Sequence, residues 1–333
     1  MAKYTAIGGQ ALIEGIMMKS PEKTAMAVRK PDKTIDISYP DEINLRKRFA
    51  FFRIPAIRGI IAFIESMITG YKAMMKSADI SGFTDLDEAE GAEKMSEKSK
   101  NTLTNAIMIV GTVLGIVLSV VLFMWLPSLV TRGLQTLFSA EFSKISKASI
   151  EQLIKLVLFV GYMLAVSFMK DMKRIFMYHG AEHKTIFCYE KGLPLTVENV
   201  KKQKRFHPRC GTSFLILMII VSVLFSTLVQ LIFPGVYDFV YIWVAVKILL
   251  IPVICGVGFE ILRICGKYDN IFTKIVSAPG LWMQRITTKE PQDDMIEIAI
   301  AALRACEPEN PDVDRSVDGQ ESDDGEDLQN DDI

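Results

Sequence analysis

Four long apolar runs dominate the pattern of hydrophobic and polar positions along the chain. They cover residues 103–130, 150–169, 212–233 and 239–262. A helix that crosses a bilayer needs about 20 consecutive, mostly apolar residues, and each run reaches that length. Few charges interrupt them: Lys155 lies near the start of the second run, and Lys247 and Glu260 lie in the fourth. The pattern therefore predicts four transmembrane helices.

The N-terminal residues 1–55 have a different pattern. Short alternating runs at 24–29 and 34–39 are typical of β-strands, and the Pro31-Asp32-Lys33 sequence between them is typical of a hairpin loop. Gly8, Gly9 and Gly15 punctuate the residues before these runs. We expect a small β-rich cytoplasmic unit here.

The remaining segments are amphipathic or polar. Residues 56–76 repeat apolar side chains at helical spacing and keep a polar face, which predicts an interfacial helix. Arg58 and Glu65 are expected to form part of a solvated face of this helix. Residues 77–102 read as a polar linker into a membrane domain at 103–306. Within that domain, 271–286 could form a second interfacial helix broken at Pro279-Gly280, and 295–306 a short amphipathic helix. Residues 307–333 read as an acidic, disordered tail.

Composition and charge support a membrane protein. Half of the residues are hydrophobic and the mean hydropathy is +0.26, which is too high for an ordinary soluble protein of 333 residues. The net charge of −1 hides an asymmetry, because the tail holds 12 acidic residues and one Arg, whereas the rest of the chain has 37 basic and 27 acidic residues. A basic body suits an anionic membrane surface. The five cysteines form no CxxC pair, so we expect no disulfide framework.

The distribution of Lys and Arg predicts the orientation in the membrane. The predicted loop between the second and third runs, 170–211, which also contains all three histidines, holds ten of them, whereas the loop between the first two runs holds three. Positively charged segments stay in the cytoplasm. We therefore expect a multi-pass membrane protein with both termini in the cytoplasm.

All three histidines of the chain lie close together in the sequence, and a carboxylate and a thiol accompany them. His179, Glu182 and His183 form an H-x-x-E-H motif, and on a helix the positions i, i+3 and i+4 share one face. In metalloproteases of this type the two imidazoles bind Zn²⁺ and the Glu takes a proton from water. His207 and Cys210 follow after a basic stretch, directly before the third run.

Two interpretations of this cluster remain open. Three protein ligands with an open position would indicate catalysis, whereas four ligands, His179, His183, His207 and Cys210, would indicate a closed structural site. Without a metal, interfacial histidines often contact lipid headgroups or cap helices, and Cys210 would simply be a small buried residue.

Glu14 is the only charge in the run from Gly8 to Met18. The simpler interpretation of that run is a turn and a buried strand. The functional alternative is that Glu14 reaches the metal as a ligand or hydrogen-bonds to one of the ligands.

Four stretches of the sequence carry a family resemblance: GGQALIEGIMMKSP, TAMAVRKPD, YHGAEHKTIFCYE and HPRCGTSF. They resemble the YqhQ-like family of bacterial multi-pass membrane proteins, a family of unknown function described as predicted metal-dependent enzymes. The resemblance covers about residues 4–305. It implies a location in the bacterial cell membrane and a metal, and by motif match it marks His179, Glu182, His183, His207 and Cys210, with Glu14 as a weaker addition.

Together these features predict a mainly α-helical integral membrane protein with four transmembrane helices, interfacial helices and a small N-terminal β-rich unit. Our leading hypothesis is a hydrolase that depends on a divalent metal, most simply Zn²⁺, and works at the cytoplasmic membrane interface with Glu182 as general base. The alternatives are a non-enzymatic scaffold with a structural metal site and, because of Lys247 and Glu260, a small transporter or channel. We expect membrane lipid as a partner and no nucleic acid, since no recognised nucleic-acid module is present.

Overall fold

A computed structural model describes most of the chain. The described residues are 7–40, 54, 57–83, 97–139, 143–208, 210–233, 235–236, 240–268 and 270–308. The strands are β1 (Gly8–Leu12), β2 (Gly15–Lys19), β3 (Thr24–Arg29) and β4 (Ile35–Ser38). The helices are α1 (Ile57–Ile80), α2 (Glu97–Val120), α3 (Leu126–Phe138), α4 (Lys144–Val166), α5 (Lys170–Glu190), α6 (Val197–Lys201), α7 (Gly211–Ile232), α8 (Val240–Lys267), α9 (Ile271–Thr287) and α10 (Asp293–Cys306). The predicted acidic tail beyond residue 308 and residues 84–96 of the predicted linker lie outside the described residues.

The N-terminal unit is a four-stranded antiparallel sheet in the order β1-β2-β3-β4. β3 and β4 lie where the alternating runs predict them. The glycine-rich run before them forms a hairpin of β1 and β2 rather than a turn and a single strand, and Ile13 and Glu14 connect the two strands. Glu14 has a left-handed backbone with φ of 51°, which the tight connection requires.

Both faces of this sheet are covered, which explains why β2 and β3 are buried along nearly their whole length. One face, including Ile16 and Ala27, packs against α5, α6 and α10 in the largest apolar cluster among the described residues. The other face, including Met26, packs against Ala73 of α1. The C-terminal helix α10 therefore belongs to the core of the N-terminal sheet.

Four described helices are long and apolar enough to cross a membrane, in agreement with the four predicted spans. They cover Ile109–Phe138, Ser149–Val166, Gly211–Ile232 and Ala245–Leu262. The first consists of α2 and α3 joined without a break by a π-helical turn, Val121–Trp125. Many apolar side chains of the spans are exposed, as lipid-facing side chains are.

Helix α1 starts at Ile57 as its periodicity predicts and continues to Ile80, into the predicted linker. It lies against α8. The Arg58 guanidinium donates two hydrogen bonds of 2.9 Å to the Glu260 carboxylate, and a side chain at Gly59 would collide with Phe259. The sequence alone favoured a solvated face for Arg58 and Glu65, and this is wrong: Arg58 pairs with α8 and Glu65 is buried.

The segment between the second and third spans, predicted as a loop at 170–211, is largely helical. It contains α5 and α6, and α5 buries half of its residues. Helix α9 continues through Pro279 without the predicted break, and its Gly280 packs directly on Ser213 of α7. The middle of α5, the start of α7 and the end of α9 come together at one place.

Candidate metal centre

Helix α5 positions the H-x-x-E-H motif, and the glycine inside the motif has a packing reason. A Cβ atom at Gly180 would overlap the carbonyl oxygen of Lys289. Glycine lowers helix stability by about 1 kcal/mol relative to alanine. It is needed here because the 288–291 segment lies directly on the helix, where Lys289 also donates its N–H to the Phe176 carbonyl.

His179, His183 and Cys210 form the one cluster of potential metal ligands found among the described residues. Their ligand atoms all lie within 4.8 Å of one another. The imidazoles of His179 and His183 are 4.4 Å apart between ring centroids, and His179 Nε2 lies 3.1 Å from Cys210 Sγ. His183 and Cys210 are buried and His179 is partly buried. The three residues could hold a metal ion.

Two backbone carbonyls fix the orientation of both imidazoles. His179 Nδ1 lies 2.9 Å from the Thr287 oxygen, and His183 Nδ1 lies 2.5 Å from the Arg205 oxygen. A carbonyl oxygen only accepts hydrogen bonds, so each Nδ1 carries the proton and donates it. In the neutral ring this leaves Nε2 with its lone pair free to bind a metal, and such an N–H···O=C bond is the usual support of a metal-binding histidine.

Cys210 is the N-cap residue of α7, and its Sγ accepts a hydrogen bond of 3.4 Å from the Thr212 N–H. Burial would raise the pKa of the thiol, but the two neighbouring imidazoles outweigh it and hold the pKa well below its usual range. Burial would likewise lower the pKa of His179, yet the negative sulfur and its hydrogen bond raise it to about 9. The pair therefore favours a Cys210 thiolate hydrogen-bonded to a His179 imidazolium. The thiolate is the form of cysteine that binds metals, and a metal held by both residues would take the place of the His179 Nε2 proton.

Glu182 lies beside the three residues and is buried. Burial raises its pKa, and the charges of His179 and His183 only partly oppose this. Its Oε2 has no hydrogen-bond partner among the described groups. Strand β1 closes the site over it, since a side chain at Gly9 would come within 3.0 Å of the Glu182 carboxyl carbon. A buried carboxylate oxygen without a partner is costly, and a bound cation or water would satisfy it.

His207 is near the cluster but outside it. Its ring lies 5.7 Å from that of His183, and its Nε2 faces Glu190 Oε2 at 3.6 Å. Its backbone is held by the Gln284 side chain, which accepts from the His207 N–H and donates to the His207 carbonyl, both at 2.7 Å. The predicted ligands are therefore brought together in part: His179, His183 and Cys210 meet, and the imidazole of His207 is directed to Glu190.

Glu14, the weakest of the predicted ligands, lies elsewhere. Its carboxylate accepts two hydrogen bonds from the Arg174 guanidinium and one of 3.1 Å from the Tyr178 hydroxyl. The hydrogen bonds from Arg174 raise the pKa of that guanidinium, and burial followed by the charge of Glu14 raises the pKa of Tyr178. In this structure Glu14 joins the β1–β2 turn to the first half of α5 and does not join the ligand cluster.

Several groups that support the site could not be predicted from the sequence. The Thr287 and Arg205 carbonyls belong to the backbone, which every residue shares. Lys184 is buried beside His183, where it is bonded to Glu290 and to the Lys201 carbonyl at 2.9 Å. The one available sign was Gly180, an unfavourable residue inside an otherwise regular helical motif.

Comparisons with known proteins identify the family of the chain. A family described as "Protein of unknown function (DUF1385)" matches residues 54–309. The "Uncharacterized protein YqhQ" of Bacillus subtilis (strain 168) is 38% identical over 304 residues, covering 90% of this chain and 91% of that protein. No solved structure matches. The long motifs, the extent of the match and the identity together show that the chain belongs to the YqhQ-like DUF1385 family.

Proposed function

We propose that this protein is a membrane-embedded, metal-dependent hydrolase whose centre consists of His179, His183 and Cys210. The observation that carries the proposal is the convergence of their three ligand atoms within 4.8 Å, beside the unpartnered oxygen of Glu182. Two imidazole nitrogens and one thiolate are a donor set that suits Zn²⁺, which has no preference imposed by d electrons.

The number of ligands favours catalysis over a closed structural site. Catalytic zinc sites keep three protein ligands and an open fourth position, whereas structural sites use four. His207 would be the fourth ligand, but its Nε2 faces Glu190 and its backbone is clasped by Gln284. The scaffold hypothesis requires His207 to turn towards the cluster.

Glu182 is the general base in this proposal. A bound Zn²⁺ ion supplies Lewis acidity and lowers the pKa of water towards about 7. Glu182 shares the helical face of the two histidines, so its Oε2 lies where it would accept a proton from a water molecule that attacks the substrate and return it to a leaving group. The Thr287 and Arg205 carbonyls keep the imidazoles in position, and β1 limits the entry of bulk water.

We further propose a cell-membrane location with both termini and this centre on the cytoplasmic side. Two observations support it. The N-terminal sheet and the C-terminal α10 share one core, so they lie on the same side of any membrane, as four spans require. The segment containing α5 and α6 is the most basic in the chain, and basic segments stay inside.

Metal binding is tested with Co²⁺ and Zn²⁺. We expect one metal per chain by elemental analysis, and a cobalt–thiolate charge-transfer absorption in the Co²⁺ form. Cys210→Ser should abolish that absorption and weaken metal binding more than the roughly 10–100-fold typical of residues that only support a ligand. The matched control is Cys188→Ser: Cys188 is buried on α5, and its thiol faces the Leu193 and Pro194 carbonyls. Equal metal content in all three proteins would refute the centre.

Catalysis is tested with Glu182→Gln, using a screen of phospholipid esters and apolar peptides as substrates. We expect the variant to keep its metal and to lose about 10²–10⁴-fold in rate, the usual contribution of a general base. Two results would contradict the hydrolase proposal if both proteins keep their metal: neither protein hydrolyses any substrate, or both do so at the same rate. Either result would favour a structural metal that holds α5 against α7.

A further inference from the structure

A second group of polar side chains lies at the opposite end of the helical bundle from the metal centre. We call it the distal cluster: Glu151 and Lys155 of α4, Gln230 of α7 and Lys247 of α8. Gln230 is 20 residues along α7 from Cys210. At 1.5 Å per residue the two ends are about 30 Å apart. The distal cluster therefore plays no part in the chemistry proposed above.

The packing of α7 against α8 places Gln230 level with Lys247. The two helices run antiparallel, and a side chain at Gly258 would meet Met218 at 3.0 Å. Moving 12 residues along α7 from Met218 leads to Gln230, and the same distance back along α8 from Gly258 leads to Val246, the neighbour of Lys247. Gln230 and Lys247 thus lie at one height in the bundle.

The two lysines and Glu151 are near enough for their charges to interact. The Lys247 ammonium interacts electrostatically with both Lys155 and Glu151, and Lys155 interacts electrostatically with Glu151. Lys247 also lies over the Trp243 ring, 5.1 Å from its centroid. Among these groups two positive charges face one negative charge, which leaves one positive charge in excess inside an apolar bundle.

Gln230 is a second, independent reason to consider a binding site here, because a ligand would satisfy its polar atoms. Its side chain is 5% exposed, and neither amide atom has a hydrogen-bond partner among the described residues. A buried amide without partners is unfavourable, especially between helices of a membrane bundle. Its NH₂ group is a donor at the height of the Lys247 ammonium, and an oxyanion binds most strongly where it accepts hydrogen bonds from a cation as well as from neutral donors.

We propose that the distal cluster binds a phosphate-type oxyanion, with Lys155 and Lys247 as its charged partners and the Gln230 amide as a further donor. Lys247 is seven residues inside α8, or about 10 Å along its axis. A lysine stem reaches the headgroup layer from that depth. The anion is therefore either the phosphodiester of a phospholipid in the leaflet opposite the metal centre or a free phosphate that enters from that side.

The test compares the wild type with Lys155→Met/Lys247→Met, which keeps the length of both stems but removes their charge. Phospholipid retained by the detergent-purified protein is quantified by native mass spectrometry after incubation with phosphatidylglycerol. Equilibrium binding of radiolabelled inorganic phosphate is measured in parallel. Gln230→Leu tests the amide, and Arg132→Met removes an exposed cation of α3 at the same end of the bundle as a matched control. Melting temperatures establish that the variants are folded.

We expect the double variant to bind at least about tenfold more weakly, because each lysine contributes a charge-assisted hydrogen bond. Gln230→Leu should weaken binding less, and Arg132→Met should not change it. A loss of lipid retention without phosphate binding identifies a lipid site, and a loss of phosphate binding identifies a site for a free anion. Equal binding by the wild type and a folded double variant, or no binding by the wild type to either probe, would overturn the proposal.

Discussion

Helices α4 and α5 follow one another in the chain and reverse the usual relation between polarity and burial. On α4 the apolar Leu153 and Val157 are more than 60% exposed. On α5 the polar Glu182, His183 and Lys184 are at most 4% exposed. In water both helices would be unfavourable. The contrast is explained if lipid surrounds α4 and if α5 satisfies its polar groups inside the protein, as the hydrogen bonds of His183 and Lys184 do.

The largest effect we expect comes from a charge on the exposed face of α4. Val157→Lys should cost about 3 kcal/mol, the typical penalty for a lysine at the centre of a transmembrane helix. The measurement is membrane insertion and thermal stability in lipid nanodiscs. Ile37→Lys is the control, because Ile37 of β4 is 48% exposed on the sheet and should change stability by about 0.5 kcal/mol or less. Equal effects at both positions would mean that lipid does not surround α4.

The second largest effect tests the close packing around α5. Gly180→Ala should destabilise the protein by about 1–3 kcal/mol, because the new methyl group overlaps the Lys289 carbonyl. The same change at Gly161 of α4, where nothing lies within 4 Å of the added atom, should be neutral or slightly stabilising. Chemical denaturation of both variants distinguishes these outcomes, and a stabilised Gly180→Ala protein would contradict the contact.

A smaller effect is expected at the junction of α1 with the fourth span. The Arg58–Glu260 pair is partly exposed, so its coupling free energy should be about 1 kcal/mol despite its two hydrogen bonds. A double-mutant cycle with Arg58→Met and Glu260→Gln measures it. A coupling of zero would show that Gly59 packing alone holds α1. This pairing also removes Glu260 as support for a transport pathway.

The smallest effect is expected at His207. His207→Ala should leave metal content and metal affinity within about twofold of the wild type, because its imidazole is not among the three converging ligands. Elemental analysis and competition with a chelator measure this. A loss as large as that for Cys210→Ser would establish a four-ligand, structural centre.

The sequence predicted the parts of this fold that depend on local periodicity. Four apolar runs became four helices of membrane-spanning length, the 24–29 run became β3, and the spacing of His179 and His183 placed both on one face of a helix. In each case a regular pattern within a few turns of chain contains the information.

Contacts between residues that are far apart in the sequence could not be predicted from local periodicity. Glu14 was a candidate ligand because it is the only charge in its run, but its partner Arg174 lies 160 residues away in the sequence. The stretch at 170–190 read as a loop because α5 is polar, and its burial depends on α9 and α10, which follow a hundred residues later. Backbone acceptors such as the Thr287 carbonyl leave no trace in side-chain composition.

Helix α9 connects the surroundings of the protein to the candidate centre. At its start Ile271, Phe272 and Ile275 are exposed apolar side chains, and at its end the Thr287 carbonyl holds the His179 ring. A rigid helix transmits displacement from one end to the other. A displacement of α9 along its axis would therefore carry the Thr287 carbonyl with it and turn the His179 imidazole that this carbonyl holds.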